Sequence, residues 1–203
     1  MVKNMNKRDL ILDSLEDLLT EEKGASCSVR EIAQKAGIAK GGIYYYFQSK
    51  EEIFDALVER TYHSIILQCQ ELLNQSQDNA IQKLNLLYTY YRTSFVSSQL
   101  DEYLHQPQNA YIHQKSLAKI LLSLSPIVSQ IIKEGIQEGL LHCDFPDEIS
   151  QIILSIFCFL LDPGIFTWSP LQVQNQLKML ATLIENGLHI PEKSLSFFYQ
   201  TNF

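Results

Sequence analysis

The chain has 203 residues, 46% of them hydrophobic and 19% charged, with a formal net charge of −7. That length carries one domain or two small ones with an ample core, and that balance excludes a disordered chain. The four cysteines, at 27, 69, 143 and 158, form no C-x-x-C pair; reduced thiols in a cytoplasmic protein are expected rather than a disulfide framework.

The start MVKNMNKR is basic, but Asp9 and Asp13 follow, and no signal-peptide core develops. Leu10 to Leu19 predicts the first helix, with Ile11, Leu15, Leu18 and Leu19 as its inner stripe. Lys7 and Arg8 precede it, either touching phosphates or simply solvated. Gly24 breaks the link to the next element.

Val29 to Lys50, VREIAQKAGIAKGGIYYYFQSK, predicts two short helices joined by a tight turn. Val29, Ile32, Ala33 and Ala36 recur at helical spacing. Ser28 precedes that face and Glu31 follows three residues later, a capping box that satisfies orphan amides at a helix start. Gly37 supplies the left-handed exit, and Ile38 is the apolar residue at the bend. The second helix is expected from about Lys40 to Phe47. At about 100° per residue its inner residues Ile43 and Phe47 lie about 40° apart. Tyr45 and Gly41 then point away from them. The exposed ridge is Lys40, Gly41, Gly42 and Tyr45, flanked by Tyr44 and Tyr46. This is the helix-turn-helix pattern, whose second helix lies in the DNA major groove. Each glycine costs roughly 1 kcal/mol of helix propensity, a cost more easily tolerated where a DNA backbone or base edge must come close. The Tyr hydroxyls and Lys50 can reach phosphates, which fixes register without reading sequence.

Lys50 to about Asn74 predicts a long helix on Ile53, Phe54, Leu57, Val58, Ile65, Leu72 and Leu73, and Gln75 to Asn79 a loop. Ala80 to Ser98 is helical again through Ile81, Leu84, Leu87, Tyr88, Tyr91 and Phe95. Arg92 sits beside that aromatic face, as an anchor for an anionic ligand or paired with an internal carboxylate or solvent. Asp101 to Asn109 suits a short helix and turn around Pro107. Ala110 to Ser123 resumes a helix, and Pro126 is expected to start another that runs to Gly139. His105 and His113 are eight apart across a proline, and His142, Cys143 and Asp144 are consecutive. Neither set converges on one ion from a regular element, so no metal site and no cofactor is expected.

Pro146 opens the penultimate helix, with Asp147 and Glu148 at its positive end. Ile149 to Leu161 is apolar nearly all round and should be buried on more than one side. Its run Ile152 to Leu161 is half of the roughly 20 residues that cross a membrane, so no membrane segment is expected. Asp162-Pro163-Gly164 stops it. Pro170 to His189 is the last helix, striped by Val173, Leu177, Leu180, Ala181, Ile184 and Leu188. These two helices suggest a four-helix dimer interface. Glu192 to Phe203 has no periodicity but is aromatic enough to pack somewhere. No strand-like alternation, phosphate-binding glycine loop, G-x-S-x-G or HExxH occurs.

Residues from about 7 to 55 resemble the DNA-binding motif of the TetR family of bacterial transcriptional regulators. The family pattern is roughly T-V-R-E-I-A, then A-G-V-S-K-G-T-L-Y-Y-H-F, then a Lys-Glu pair. Here Ser28-Val29-Arg30-Glu31-Ile32-Ala33, Ala36 through Phe47, and Lys50-Glu51 occupy those places. Ala39 replaces the usual Ser, removing an N-cap hydroxyl typically worth about 1 kcal/mol. Gly42 replaces a Thr or Ser, and Tyr46 a His; these departures bear on the preferred operator. Ridge and resemblance together give an expected DNA face of Ser28, Arg30, Lys40, Gly41, Gly42, Tyr44, Tyr45, Tyr46 and Lys50, and by resemblance Arg30 can reach a base edge.

The expected architecture is all-α. A three-helix head with the helix-turn-helix spans residues 1–49, and a larger helical body for ligand binding and dimerisation spans 50–203. The resemblance implies a cytoplasmic homodimer on a palindromic operator in double-stranded DNA, acting as a repressor released by a small-molecule effector. Control by a protein partner is the alternative. A helical enzyme using His105 or His113 with Arg92 is remote, since nothing stands at catalytic spacing. The head carries eight basic and seven acidic residues within 1–50, so the acidity lies outside the motif. A cavity is expected beneath the long helix, with Tyr88, Tyr91, Arg92, Phe95, Tyr111, His113 and Phe157 as its ligand-binding residues. Tyr103, Phe166 and Trp168 add to the aromatic supply. Its guest should be largely apolar and partly planar.

Overall fold

A computed structural model describes residues 6–20, 27–95 and 99–200, the side chains of residues 95 and 99 excepted. Gly24, expected as a breaker, lies outside these residues, as do the last three positions of the tail. The described chain is helical throughout and contains no strand: α1 (Lys7–Thr20), α2 (Val29–Lys35), α3 (Lys40–Ile43), α4 (Lys50–Gln75), α5 (Ala80–Phe95), α6 (Gln99–Leu104), α7 (Ala110–Gln137), α8 (Pro146–Ser155), α9 (Pro170–Gly187) and α10 (Phe197–Gln200). A 3-10 turn, Pro107–Asn109, leads into α7, and a π-helical turn, Ile156–Leu160, continues α8.

The chain divides into two compact units. The first is Met1–Ser64 with Ser97–Ile112, and the second is Ile65–Val96 with His113–Phe203. This division differs from the expected boundary after residue 49, and the first unit's contacts give the reason. Phe54 on α4 stacks on Tyr103 on α6, with ring centroids 3.9 Å apart. Arg60 on α4 holds Asp13 at 2.5 Å and Glu16 at 2.7 Å, both on α1. The first turns of α4 therefore belong to the core of the head. That core is Ile11, Leu12, Leu15, Leu18 and Leu19 of α1 with Ile32, Ala33, Ile43, Phe47, Ile53, Phe54 and Leu57, all buried. Each large side chain so buried contributes about 1.5–3 kcal/mol.

In the second unit Glu138 accepts a hydrogen bond from the Ala80 amide at 2.9 Å, and Lys83 pairs with Glu134 at 2.7 Å. A Cβ at Gly135 would come within 2.7 Å of Ala80 Cβ and of Leu141, so only glycine lets these segments approach so closely. Burial pushes the thiol of Cys69 up to about 11 and that of Cys158 to about 12, which keeps both protonated at neutral pH.

The body departs from expectation in two helices and in one helix face. Ala110–Ser123 and the helix expected from Pro126 are one continuous helix, α7, with Pro126 inside it. Pro126 and Leu122, four residues earlier, are both exposed. The carbonyl that loses its partner thus lies on the wet side, where water can serve it. The helix expected through Leu161 ends as regular α-helix at Ser155 and widens into the π-turn. On α9, Leu177, Leu180, Ala181 and Ile184 are buried within the protomer. Leu180 is 5% exposed, so it faces its own core and not a partner. By length and composition α7 with its preceding turn could cross a membrane, but half of its most apolar window is buried in the fold.

Candidate nucleic-acid interface and ligand site

The turn chemistry of the head sets the angle between α2 and α3. Ser28 Oγ accepts from the Glu31 amide at 3.3 Å, and the Ser28 amide donates to Glu31 Oε2 at 2.8 Å, completing the capping box. At the other end Gly37 takes φ +66°. The Ile38 amide donates to the Ala33 carbonyl at 3.0 Å and the Gly37 amide to the Gln34 carbonyl at 3.2 Å. That bond pair is a Schellman motif, which needs a residue free of Cβ strain at Gly37.

The second helix is shorter than the expected Lys40–Phe47. Regular α3 covers Lys40–Ile43, and Tyr44–Tyr46 form a turn in which the Tyr46 amide donates to the Ile43 carbonyl at 2.9 Å. Ala39 has the extended backbone of an N-cap but no side-chain bond to offer. Two glycines follow it, so both capping and propensity run against a longer helix. Ile43 and Phe47 are nevertheless buried, and Tyr45 is 90% exposed, the opposition that the angular spacing demands.

Of the expected DNA-facing residues, Ser28, Arg30, Lys40, Gly41, Tyr44 and Tyr45 are exposed, while Gly42, Tyr46 and Lys50 are half-buried. Ser28 spends its hydroxyl on the cap. The Lys50 ammonium lies 5.2 Å from the centre of the Phe54 ring. The Arg8 guanidinium lies 5.1 Å from the centre of the Phe47 ring, a cation–π contact that braces the turn from α1. A surface groove joins Lys7, Gly37, Ile38, Ala39, Gly42, Tyr45 and Tyr46. Gly37, Ile38 and Ala39 lie outside the expected face; Lys7, a possible phosphate contact from its place before α1, reaches the groove through tertiary packing. Carboxylates of the head have structural work elsewhere. Asp13 and Glu16 bind Arg60, Asp17 lies 3.9 Å from Lys35, and Glu52 accepts the Gln48 amide. An acidic protein can therefore present a face of Arg30, Lys40 and Tyr hydroxyls, whose local phosphate contacts would carry the binding energy.

The residues expected to bind a ligand are less closely gathered. Tyr111 belongs to the first unit and is 76% exposed, so it lines no interior space. The side chain of Phe95 lies outside the described set. His113 is buried with its Nε2 3.2 Å from Asp162 Oδ2, and Asp162 also accepts the Gly164 amide at 2.8 Å. Tyr103 is committed to Phe54, and Phe166 stacks on Trp168 at 5.3 Å. Tyr88 and Phe157 do meet, with centroids 5.8 Å apart. Tyr91 and Arg92 are half-buried on the same helix as Tyr88. Burial raises the Tyr88 hydroxyl above its ordinary range, and the nearby Arg92 charge counters part of that rise. Where the cavity is expected, the tail packs instead: Phe198 lies 4.9 Å from Tyr88 and 5.3 Å from Phe157, ring centre to ring centre.

Comparison with known proteins matches residues 11–57 to a family model described as bacterial regulatory proteins of the tetR family. It matches residues 92–182 to one described as a tetracyclin repressor-like C-terminal domain. The chain belongs to the TetR family of bacterial regulators. Its relatives include nucleoid occlusion factors named SlmA. That of Marinobacter nauticus is 30% identical over 73 residues, and that of Aliivibrio fischeri 29% over 83. These matches cover 36% and 40% of this chain and only 37% and 42% of the relatives' own length. Solved TetR-like folds extend over nearly the whole chain. The resorcinol complex of RolR superposes with a TM-score of 0.66 at 14% identity, covering 96% of this chain and 94% of that one. FadR of Bacillus halodurans superposes with a TM-score of 0.61 at 20% identity, covering 97% and 96%. At such identity the likeness fixes the fold: a helix-turn-helix head followed by a helical body.

Proposed function

We propose that this TetR-family regulator is a cytoplasmic repressor, not an enzyme, that binds a palindromic operator as a homodimer and is released by a small molecule held in its body. The observation that carries DNA binding is the head itself. A fully capped α2, a Schellman turn at Gly37 and buried Ile43 and Phe47 leave Arg30, Lys40, Tyr44 and Tyr45 exposed. Arg30 is the base-reading candidate, and Lys40, the Tyr hydroxyls and Lys50 are phosphate contacts. Dimerisation draws on large apolar side chains left exposed in the second unit, Ile152 on α8 with Met179 and Leu183 on α9. A ligand-released mode draws on the fold shared with RolR, solved with resorcinol, and with FadR of Bacillus subtilis, solved with stearoyl-CoA. A second reading, control by a protein partner, draws on the relatives named as nucleoid occlusion factors.

The test is selection of bound fragments from a random DNA pool, followed by a screen of metabolites against the selected complex. A palindromic sequence with half-sites about one or two helical turns apart, released by at least one compound, is the expected result. A selected operator that no compound releases would favour the partner-controlled reading. The effector must favour the DNA-incompetent state by about 1.4 kcal/mol for each tenfold loss of operator affinity.

A further inference from the structure

The short helix α10, which follows α9, brings two rings onto the aromatic pair expected to receive the effector. Phe198 is buried against Tyr88 and Phe157, and Phe197 lies 4.8 Å from Phe198 and 5.9 Å from Tyr88. The Tyr88 hydroxyl donates to the Phe198 carbonyl at 3.0 Å. These four rings meet at tilted or edge-on angles, the arrangement aromatic pairs prefer. A polar handle, hydrophobic walls and the neighbouring Arg92 charge are what a small-molecule site offers, and here a piece of the same chain occupies it.

Several features set this occupant apart from ordinary core. Helix α10 has only four residues. Polar attachments of the tail besides Tyr88 include the Leu195 amide on the buried Glu185 carboxylate at 2.8 Å and Gln174 on the Tyr199 carbonyl at 3.4 Å. Two non-glycine residues on the approach, His189 at φ +55° and Lys193 at φ +68°, sit in the left-handed region and work against the docked path. Phe157 lies in the π-helical turn, an irregularity that often marks functional positions in helices. The family match to the C-terminal domain stops at residue 182, before the tail begins.

We propose that the segment Leu195–Gln200 is a built-in occupant of the effector site, and that a planar, neutral aromatic compound binds by taking the place of Phe198 against Tyr88 and Phe157. This rests on the reading of the body as the effector-binding part. The tail acts as a competitor tethered to the site. Its effective concentration sets how much free compound is needed, and a bound compound leaves the tail undocked. The polar end of the guest meets the Tyr88 hydroxyl, which gives up its bond to the Phe198 carbonyl.

Indole is a suitable probe, with hexan-1-ol as an aliphatic control. Phe198→Ala is expected to bind indole at least tenfold more tightly than the unaltered protein by calorimetry, with hexan-1-ol gaining much less. In the unaltered protein, saturating indole is expected to speed tryptic cleavage after the exposed Lys193 several-fold, read by mass spectrometry as release of the peptide beginning at Ser194. The protease arm needs no substitution, so it stands even if Phe198→Ala folds poorly. Equal indole affinity in both proteins, or cleavage at Lys193 that indole leaves unchanged or slows, overturns the proposal. Operator binding measured on the same samples separates the two readings. Retained binding, released by some other compound while indole does not free the tail, removes the tail site and leaves the regulator intact. A tail freed by indole in a protein that selects no DNA does the reverse.

Discussion

The helix-turn-helix and the aromatic end of the body are built on opposite principles. In the helix-turn-helix, the contacts that set the turn are local: Ser28 to Glu31, Gly37 to Gln34 and Ile38 to Ala33. Fixed offsets of a few residues specify the caps, the turn and hence which side chains face outwards. At the aromatic end, Tyr88 finds Phe198 across 110 positions of sequence. No local rule announces that pairing, and the tail that supplies it has no period of its own. The head is therefore a surface written in turn chemistry, while the body is a volume filled by distant parts of the chain. A site of the first kind is read before folding; one of the second kind exists only after it.

The sharpest way to break this comparison is to remove packing where the body depends on it. Leu180→Ala should lower the unfolding free energy by about 2–5 kcal/mol, as large-to-small core changes do, measured by denaturant titration. Its neighbour Leu183 is 55% exposed. Leu183→Glu should leave each protomer folded and shift sedimentation from dimer to monomer, because an unpaired charge would be buried on association. If Leu183→Glu instead unfolds the chain while Leu180→Ala does not, the inner and outer faces of α9 are exchanged.

A smaller effect tests the head as a reading surface. Arg30→Ala should weaken binding to the selected operator by about 1–3 kcal/mol and relax preference at one base position, if the guanidinium pairs with guanine. Lys40→Ala should weaken all sequences alike and lower the slope of log affinity against log salt by about 0.9, one phosphate contact. Identical behaviour of the two variants in a salt titration would merge the two proposed roles.

The smallest effects probe turn chemistry alone. Ser28→Ala breaks the capping box and should cost about 1 kcal/mol. Ala39 already has the extended backbone of an N-cap, with φ −66° and ψ 143°. Ala39→Ser should therefore restore the missing hydroxyl and gain up to about 1 kcal/mol. Thermal unfolding of the two variants should move in opposite directions; a destabilising Ala39→Ser would mean that the short α3 is set by something other than its missing cap.

Legibility in the sequence follows the same divide. The stripe Ile11, Leu15, Leu18 and Leu19, the opposition of Tyr45 to Ile43 and Phe47, and the start of α9 at Pro170 all rest on periodicity or capping, and the folded chain has them. The length of α3 was not legible, because the ridge argument places residues around an axis without saying where the axis ends. Pro126 misled for a different reason: a proline breaks a helix only where the lost hydrogen bond cannot be replaced, and the exposed side of α7 can be served by water. Tyr111 is expected among the ligand residues as an aromatic on a body helix facing the others, but a place on a helix does not say which unit a side chain joins. The groove with Lys7 and the docking of Phe198 come from long-range packing: the basic start and the aromatic tail stand in the sequence, but no local pattern says where either one lands.

That the exposed face of the helix-turn-helix meets DNA is tested most directly at Tyr45. This side chain is 90% exposed, so removing it costs the fold little. The measurement is the operator affinity of Tyr45→Ala beside its melting temperature. The expected result is a loss of about tenfold in affinity, roughly 1.4 kcal/mol, with melting unchanged. Unaltered affinity on the selected operator, in a protein that still melts like the parent, would put the DNA on some other face.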